Sequence, residues 1–516
     1  MWFEHGILSV LIWFPILGAV AALLTGGDAH ARKARLIAAS VAIINLLLCI
    51  PLYLAFDPSR FAMQFQEDHL WIHVYKIHYA LGVDGISLAM IILTNFTGLL
   101  VILAGCQAIK VRVAQYMAAF LIMQGMMIGV FAATDAILFY VFWEGMLIPM
   151  YLSIGMWGSA NRRYAAVKFF LYTFLGSILM LIALLYLYNQ TGSFSIQHFY
   201  GLHLPVSVQT ALFFAFFLAF AVKVPMWPVH TWLPDAHTEA PAGGSVVLAA
   251  LMLKLGIYGF LRFSMPITPE ACDHLAWFMI ILSLIAIIYI GLVAIVQTDM
   301  KKLIAYSSIA HMGFATLGCF MVYDIIRHVA TLKGAYMSLE GAVIQMISHA
   351  FGSGAMFLGV GILADRLVSH SRNIKDYSGV ATSMPIFAAF FMLFAMSNVG
   401  LPGTAGFVGE FMVIMSAFQA RFWVAMIAAL TLILASAYTL WMYKRVFFGS
   451  IVSHEVAAMR DIHWLEKTNY ILLAVGVFFI GLYPAPVLQI LHATIGHILA
   501  ISTPVSAAQH LLRGPA

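Results

Sequence analysis

Six ionisable side chains of this 516-residue chain stand well inside long apolar runs, and all are of types that carry protons: Glu144, Lys223, Lys254, His311, His349 and Glu410. A charge at the centre of a bilayer costs roughly 2.5–3.5 kcal/mol on insertion scales and more by other estimates, so such groups persist chiefly where an ion or proton must cross. Glu144, in Phe142-Trp143-Glu144-Gly145-Met146, is flanked by apolar residues, with a structural ion-pair role as the plainer alternative. Lys223 lies two residues before Pro225 and is its natural counter-ion. Desolvation and a nearby carboxylate act in opposite senses on an ammonium, so a small change in separation moves the proton equilibrium.

Lys254, in Leu253-Lys254-Leu255-Gly256, has no acidic neighbour in sequence. Snorkelling to an interface is its ordinary alternative, but its depth suits a central carrier that takes up a proton and releases it. His311, after Ser307 and Ser308, and His349, after Ser348, suit a relay, because imidazole donates through one nitrogen and accepts through the other. A purely structural hydrogen-bonded imidazole remains open for each, and a bis-histidine haem site is disfavoured by one deep histidine per segment. Glu410 follows Gly403 by seven residues. His230, Trp232, Asp235, His237 and Glu239 form a polar stretch that suits proton uptake from the inner aqueous side, or is merely a solvated loop.

The elements that hold these groups follow from composition. The chain is 63% hydrophobic and 9% charged, with mean hydropathy +0.96, where a soluble chain carries roughly 25% charged residues. Apolar runs of about 17 to 25 residues are long enough to cross some 30 Å of hydrocarbon, and barrel strands would be shorter and alternating. The fold class is an all-α integral membrane protein with about fourteen transmembrane helices, including runs at 81–105, 384–416 and 468–500. The basic cluster Arg32, Lys33, Arg35 follows the first helix, which therefore reads as an outside-in span and not a cleaved signal peptide. With both termini outside, seventeen of the 26 Lys and Arg residues fall in inner loops, Lys301 among them, and seven in outer ones, Arg262 among them. That is the direction of the positive-inside rule and leaves Lys223 and Lys254 in the membrane. No basic stretch interleaved with aromatics suggests nucleic acid.

Two runs are interrupted alike: Lys223-Val224-Pro225-Met226-Trp227-Pro228 and Asn398-Val399-Gly400-Leu401-Pro402-Gly403. Proline removes a backbone donor and glycine loosens a turn, and backbone freed at membrane depth is tolerated only when buried or lining a hydrated cavity. Each break is followed by one more helix, which suggests two inverted five-helix repeats, with unrelated proline kinks as the alternative. The divisions are 1–112 (helices 1–3), 113–263 (helices 4–8, the first repeat), 264–448 (helices 9–13, the second) and 449–516 (helix 14 and tail). Cys49, Cys106, Cys272 and Cys319 stand singly, and neither G-x-G-x-x-G nor G-x-x-x-x-G-K-[ST] occurs. No nucleotide, flavin or metal is therefore expected in this chain.

The segments Trp143-Glu144-Gly145, Lys223 to His237, Lys301-Lys302-Leu303-Ile304-Ala305-Tyr306-Ser307-Ser308-Ile309-Ala310-His311 and Leu401-Pro402-Gly403 to Glu410-Phe411 resemble the antiporter-like subunits of proton-pumping NADH:quinone oxidoreductase, respiratory complex I. Glutamate in place of lysine on the second broken helix, and no long lateral helix after the fourteenth, resemble the M branch of that family. The resemblance implies Glu144 and Lys223 as a coupling pair, Lys254 as central carrier, His311 and His349 as bridge and Glu410 as exit group. It also implies FMN, iron–sulfur clusters and quinone in partner subunits, and membrane-arm neighbours that include the L and N chains. It implies a multi-pass location, in the bacterial inner membrane with both termini periplasmic. A subunit of a multi-chain cation/proton antiporter, similar to the same fold, is the alternative.

Overall fold

The computed structural model describes residues 6–329 and 332–504. Its helices follow the apolar runs, because a backbone in hydrocarbon must satisfy every N–H and C=O within its own segment. They are α1 (Ile7–Leu23), α2 (Ala31–Ala55), α3 (Gly85–Ala108), α4 (Val113–Ala132), α5 (Ala136–Trp157), α6 (Arg162–Thr191) and α7 (Val206–Lys223). There follow α8 (Ala242–Ile267), α9 (Ala276–Ile295), α10 (Met300–Val329), α11 (Leu332–Arg366), α12 (Pro385–Val399 and Ala405–Ala420), α13 (Phe422–Phe447) and α14 (Trp464–Leu482 and Ala485–Ser502). The expected fourteen passages are thus present among the described residues, and α8, α10 and α11 are the most buried.

Three expectations need correction. The run at 468–500 is broken at Tyr483-Pro484. Its two pieces lie end to end along α11, with Arg366 Nη2 2.7 Å from Glu466 Oε2 near one end and His492 Nδ1 2.7 Å from Glu340 Oε1 toward the other. The stretch 56–80, between two apolar runs, holds an antiparallel hairpin of β1 (Gln64–Ile72) and β2 (Ile77–Val83), so that the helix expected at 81–105 is displaced to Gly85–Ala108. Buried Glu67 on β1 accepts from the Leu8 and Ser9 backbone N–H groups at 2.9 and 3.1 Å, capping α1.

The third correction concerns charge. Lys301 and Arg262, assigned to loops by their places near run ends, are buried, at 4% and 6% exposure. Among the described residues, four cations rather than two therefore lie inside the protein: Lys223, Lys254, Arg262 and Lys301. The loops around 110–112, 158–161, 296–299 and 367–384 gather on one face, called here the basic face. The hairpin, 133–135, 192–205 and 268–275 lie on the opposite face. The expected sidedness of the termini concerns residues 1–5 and 505–516, outside those described.

Candidate functional site

α8 crosses the centre of the bundle entirely buried, and it is not a regular helix. Its backbone widens to a π turn at Leu248–Met252 and again at Phe260–Ser264, a rare distortion that is frequent at functional sites. Lys254 follows the first wide turn and has no exposed surface. Side chains lean toward a helix's N-terminus, and its Nζ donates back to the Ala249 carbonyl within that turn. The same Nζ lies 2.7 Å from His349 Nδ1 on α11.

From there the polar atoms continue across the bundle. The His349 and His311 rings are 5.7 Å apart between centroids, inclined at 47°. His311 Nδ1, on α10, lies 2.6 Å from Glu410 Oε1 in the second half of α12. Gln345 Nε2, one turn before His349, donates to the same carboxylate oxygen at 3.1 Å. His349 Nε2, His311 Nε2 and Glu410 Oε2 are buried without a partner. Burial of this kind strengthens each electrostatic contact severalfold over bulk water.

The break in α12 is what brings Glu410 here. Gly400, at φ +85°, ends the first half in a left-handed conformation that side chains resist. A Cβ at that position would stand 3.3 Å from Glu410 Oε2, so the glycine also leaves the carboxylate its space.

The break after α7 serves Lys223. The ammonium lies in the last turn, where the helix dipole favours a cation. Trp232 Nε1 donates to the Val222 carbonyl at 2.8 Å, pairing one of the acceptors freed where the helix stops. Lys223 Nζ sits 4.8 Å from the centre of the Trp143 ring. Glu144, next in sequence to that ring, has Ser177 and Lys223 as polar neighbours, yet neither its Oε1 nor Lys223 Nζ has a hydrogen-bond partner. The structure thus brings the two charges into one neighbourhood without closing an ion pair. Glu144 is half-buried, unlike the other five.

The polar stretch after the first break divides. Trp232–Glu239 is a short helix, not a solvated loop. His237 is fully buried, its ring stacked 4.4 Å from Phe357 of α11, both nitrogens unpaired, with Lys301 and Lys254 as neighbouring cations. Asp235 turns away to Lys168 at 2.7 Å, and buried His230 stands apart from the central line. Glu239 is held by the Asn161 N–H at 2.8 Å and faces Arg372 at 3.6 Å. Of His230, Asp235 and His237, the titratable groups expected to take up the proton, only His237 therefore joins the central groups.

Sequence reasoning missed two buried groups. Lys301 Nζ donates 2.7 Å to the Ala240 carbonyl beside His237. Arg262 Nη2 lies 2.7 Å from Asp84 Oδ2, with both side chains almost wholly enclosed. Lys254, Tyr258 and Arg262 recur every fourth residue, a helical-face signal that could have flagged the arginine. Among the described residues no three His, Cys, Asp or Glu side chains gather in a metal-binding group.

Residues 133–436 match the family model described as NADH:quinone oxidoreductase/Mrp antiporter, transmembrane. NADH-quinone oxidoreductase subunit M of Rhodobacter capsulatus is 46% identical over 511 residues, covering 96% of each chain. A chain in the structure of respiratory complex I from Thermus thermophilus with bound NADH superimposes with a TM-score of 0.86 at 27% identity, covering 96% of this chain and 100% of that one. A chain of the Mrp complex from a Dietzia species shares the fold, at a TM-score of 0.79 and 20% identity, covering 96% of this chain and 52% of that one.

Proposed function

The chain belongs to the NADH:quinone oxidoreductase/Mrp antiporter transmembrane family, with subunit M as its near relative, and we propose that Lys254, His349, His311 and Glu410 form one proton path across the membrane, with Glu144 and Lys223 as its coupling pair. The chain is a proton-translocating membrane subunit of NADH:quinone oxidoreductase, and the redox chemistry takes place elsewhere in that complex. FMN, iron–sulfur clusters and quinone belong to partner subunits in this reading, and the neighbours in the membrane arm include the L and N chains. The membrane is the bacterial inner membrane, with the basic face toward the cytoplasm. The divisions at 112, 263 and 448 mark two inverted repeats, each with one broken helix carrying one ionisable group.

The observation that carries the path is the buried sequence Lys254 Nζ, His349 Nδ1, the paired imidazoles, and Glu410 Oε1. A proton reaches Lys254 from the basic face by way of His237. The ammonium gives it to His349 Nδ1, His349 passes its other proton from Nε2 to His311 Nε2, and His311 hands its Nδ1 proton to Glu410 Oε1. Each imidazole ends in the opposite tautomer and must reset before the next transfer. Glu410 releases the proton toward the opposite face.

Glu144 and Lys223 bias this traffic. Moving one charge against 100 mV takes about 2.3 kcal/mol. Opening or closing a partly buried ion pair is worth several kcal/mol when its partner charge is withdrawn. The resting separation found here leaves Lys223 free to swing from Trp143 to Glu144 when quinone chemistry perturbs the arm.

The test uses the whole complex purified in mild detergent and reconstituted in vesicles. Lys254→Ala is expected to lower the protons moved per electron pair while NADH oxidation continues under uncoupled conditions. An unchanged ratio would remove Lys254 from the path. Sodium dependence of transport in the absence of NADH would instead favour the antiporter reading.

A further inference from the structure

Beyond Lys254, α8 continues toward the opposite face, and the next two residues on the same side of the helix are Tyr258 and Arg262. They are knitted to α3 and α4. Tyr258 Oη donates to the Phe131 carbonyl at 3.0 Å and lies 3.0 Å from Ser87 Oγ. Arg262 Nε donates to Tyr258 Oη at 3.3 Å, and Nη2 reaches Ser87 Oγ at 3.2 Å and Asp84 Oδ2 at 2.7 Å. The Tyr258 ring also meets Phe131 edge-on at 5.1 Å. Immediately outside lies a cavity of about 350 Å³, walled mostly by apolar groups such as Phe61, Met63 and Ile498, with Asp84, Arg262 and His497 at its polar end.

Two rises of four residues, at about 1.5 Å each, put Arg262 only about 12 Å beyond Lys254 along the helix. The carrier is thus separated from this largely apolar cavity on the opposite face by one tyrosine and one guanidinium. An open connection there would let a proton fall from Lys254 directly across the membrane, bypassing the histidines and Glu410. Arginine is the side chain suited to stop it: it stays protonated at all physiological pH values and accepts no hydrogen bond. A fixed cation in a narrow passage is an electrostatic barrier to protons and other cations. Asp84 compensates the buried charge and is itself held at the start of α3, where its side chain caps the helix through the Ser87 N–H at 3.0 Å. The Lys254 ammonium points the other way, back to Ala249.

We propose that Arg262, anchored by Asp84 and Tyr258, is an electrostatic plug that closes a direct exit from Lys254 to the opposite face and so forces the proton sideways to His349. The inference rests on Lys254 being the carrier. It makes Arg262 a positioning residue, acting through the field it sets up.

The test reads passive proton leak in vesicles holding the whole complex, with no NADH, after an imposed pH step. Arg262→Gln is expected to raise the leak several-fold and to lower the protons moved per electron pair, while Arg262→Lys, which keeps the charge, stays tight. Adding Lys254→Ala to Arg262→Gln is expected to return the leak to the native level. Asp84→Asn leaves Arg262 charged but without its anchor and is expected to leak more than the native complex and less than Arg262→Gln. An Arg262→Gln complex that assembles and remains tight overturns the plug, and so does an assembled Asp84→Asn complex that stops pumping without any added leak, which would make Asp84 an exit carboxylate. The leak of Asp84→Asn decides the matter should Arg262→Gln fail to assemble. If Lys254→Ala alone leaves pumping intact, the carrier assignment fails; if it abolishes pumping while Arg262→Gln stays tight, only the plug does.

Discussion

Lys254 and His349 meet at 2.7 Å across two helices that are 95 residues apart in sequence, with no carboxylate between them. Two bases in direct contact inside a protein cannot both be charged without strong repulsion, so the contact favours one shared proton. If the contact is one step of a series, Lys254→Ala and His349→Ala should each lower the protons moved per electron pair to the same level. The double variant should fall no further. A pH-sensitive dye in reconstituted vesicles measures this, and an additive loss would place the two residues on separate routes.

Glu410→Gln retains the shape and one acceptor for His311 but not the charge, and is expected to stop release from this chain. Gln345→Leu removes only one donor to the Glu410 carboxylate, a contact worth about 1.5–3 kcal/mol. The coupled turnover of that variant should therefore slow by about ten- to a hundredfold without being abolished. Turnover measured against an imposed membrane potential ranks the two variants, and the reverse ranking would contradict an exit role for Glu410.

Trp143 holds the Lys223 ammonium over its ring face at 4.8 Å. Such contacts contribute about 0.5–2 kcal/mol. Trp143→Leu should release Lys223 toward Glu144 and weaken coupling, so that NADH oxidation becomes less responsive to membrane potential. Trp143→Phe, which keeps a ring, should be milder. Respiratory control ratios of the two variants test this ordering.

Gly406 lies where the second half of α12 passes the first, and a Cβ there would stand 1.9 Å from the Ser397 carbonyl oxygen. Overpacking of this kind costs about 1–3 kcal/mol. Gly406→Ala should lower the thermal midpoint of the purified complex or its yield. Gly201→Ala, where the nearest atom would be 4.0 Å away, should change neither.

How much could be read from sequence varied with the physics involved. The burial of Lys254, His311, His349 and Glu410 was legible because each stands deep in an apolar run, and the Pro and Gly clusters located both breaks. Arg262 and Lys301 were not, because a cation near the end of a run normally snorkels. Tertiary partners keep these two inside: Asp84, Ser87 and Tyr258 for Arg262, and the Ala240 carbonyl for Lys301. Asp235 and His237 are two residues apart and face different surroundings, which follows from the short helix Trp232–Glu239 and not from their chemistry. The hairpin at 64–83 sits between two strong apolar signals and was read as a loop.

The wide turn at Leu248–Met252 carries one more residue than a regular helical turn between the same levels. That extra residue resets the angular phase of all that follows, much as an offset coupling lets one shaft drive two gears on different bearings. Shortening it by one position, at Ala249 or Ala250, would rotate Lys254, Tyr258 and Arg262 together by about 100°. Every side chain would survive the deletion while each lost its partner, so along this helix the chain's length matters as much as its chemistry.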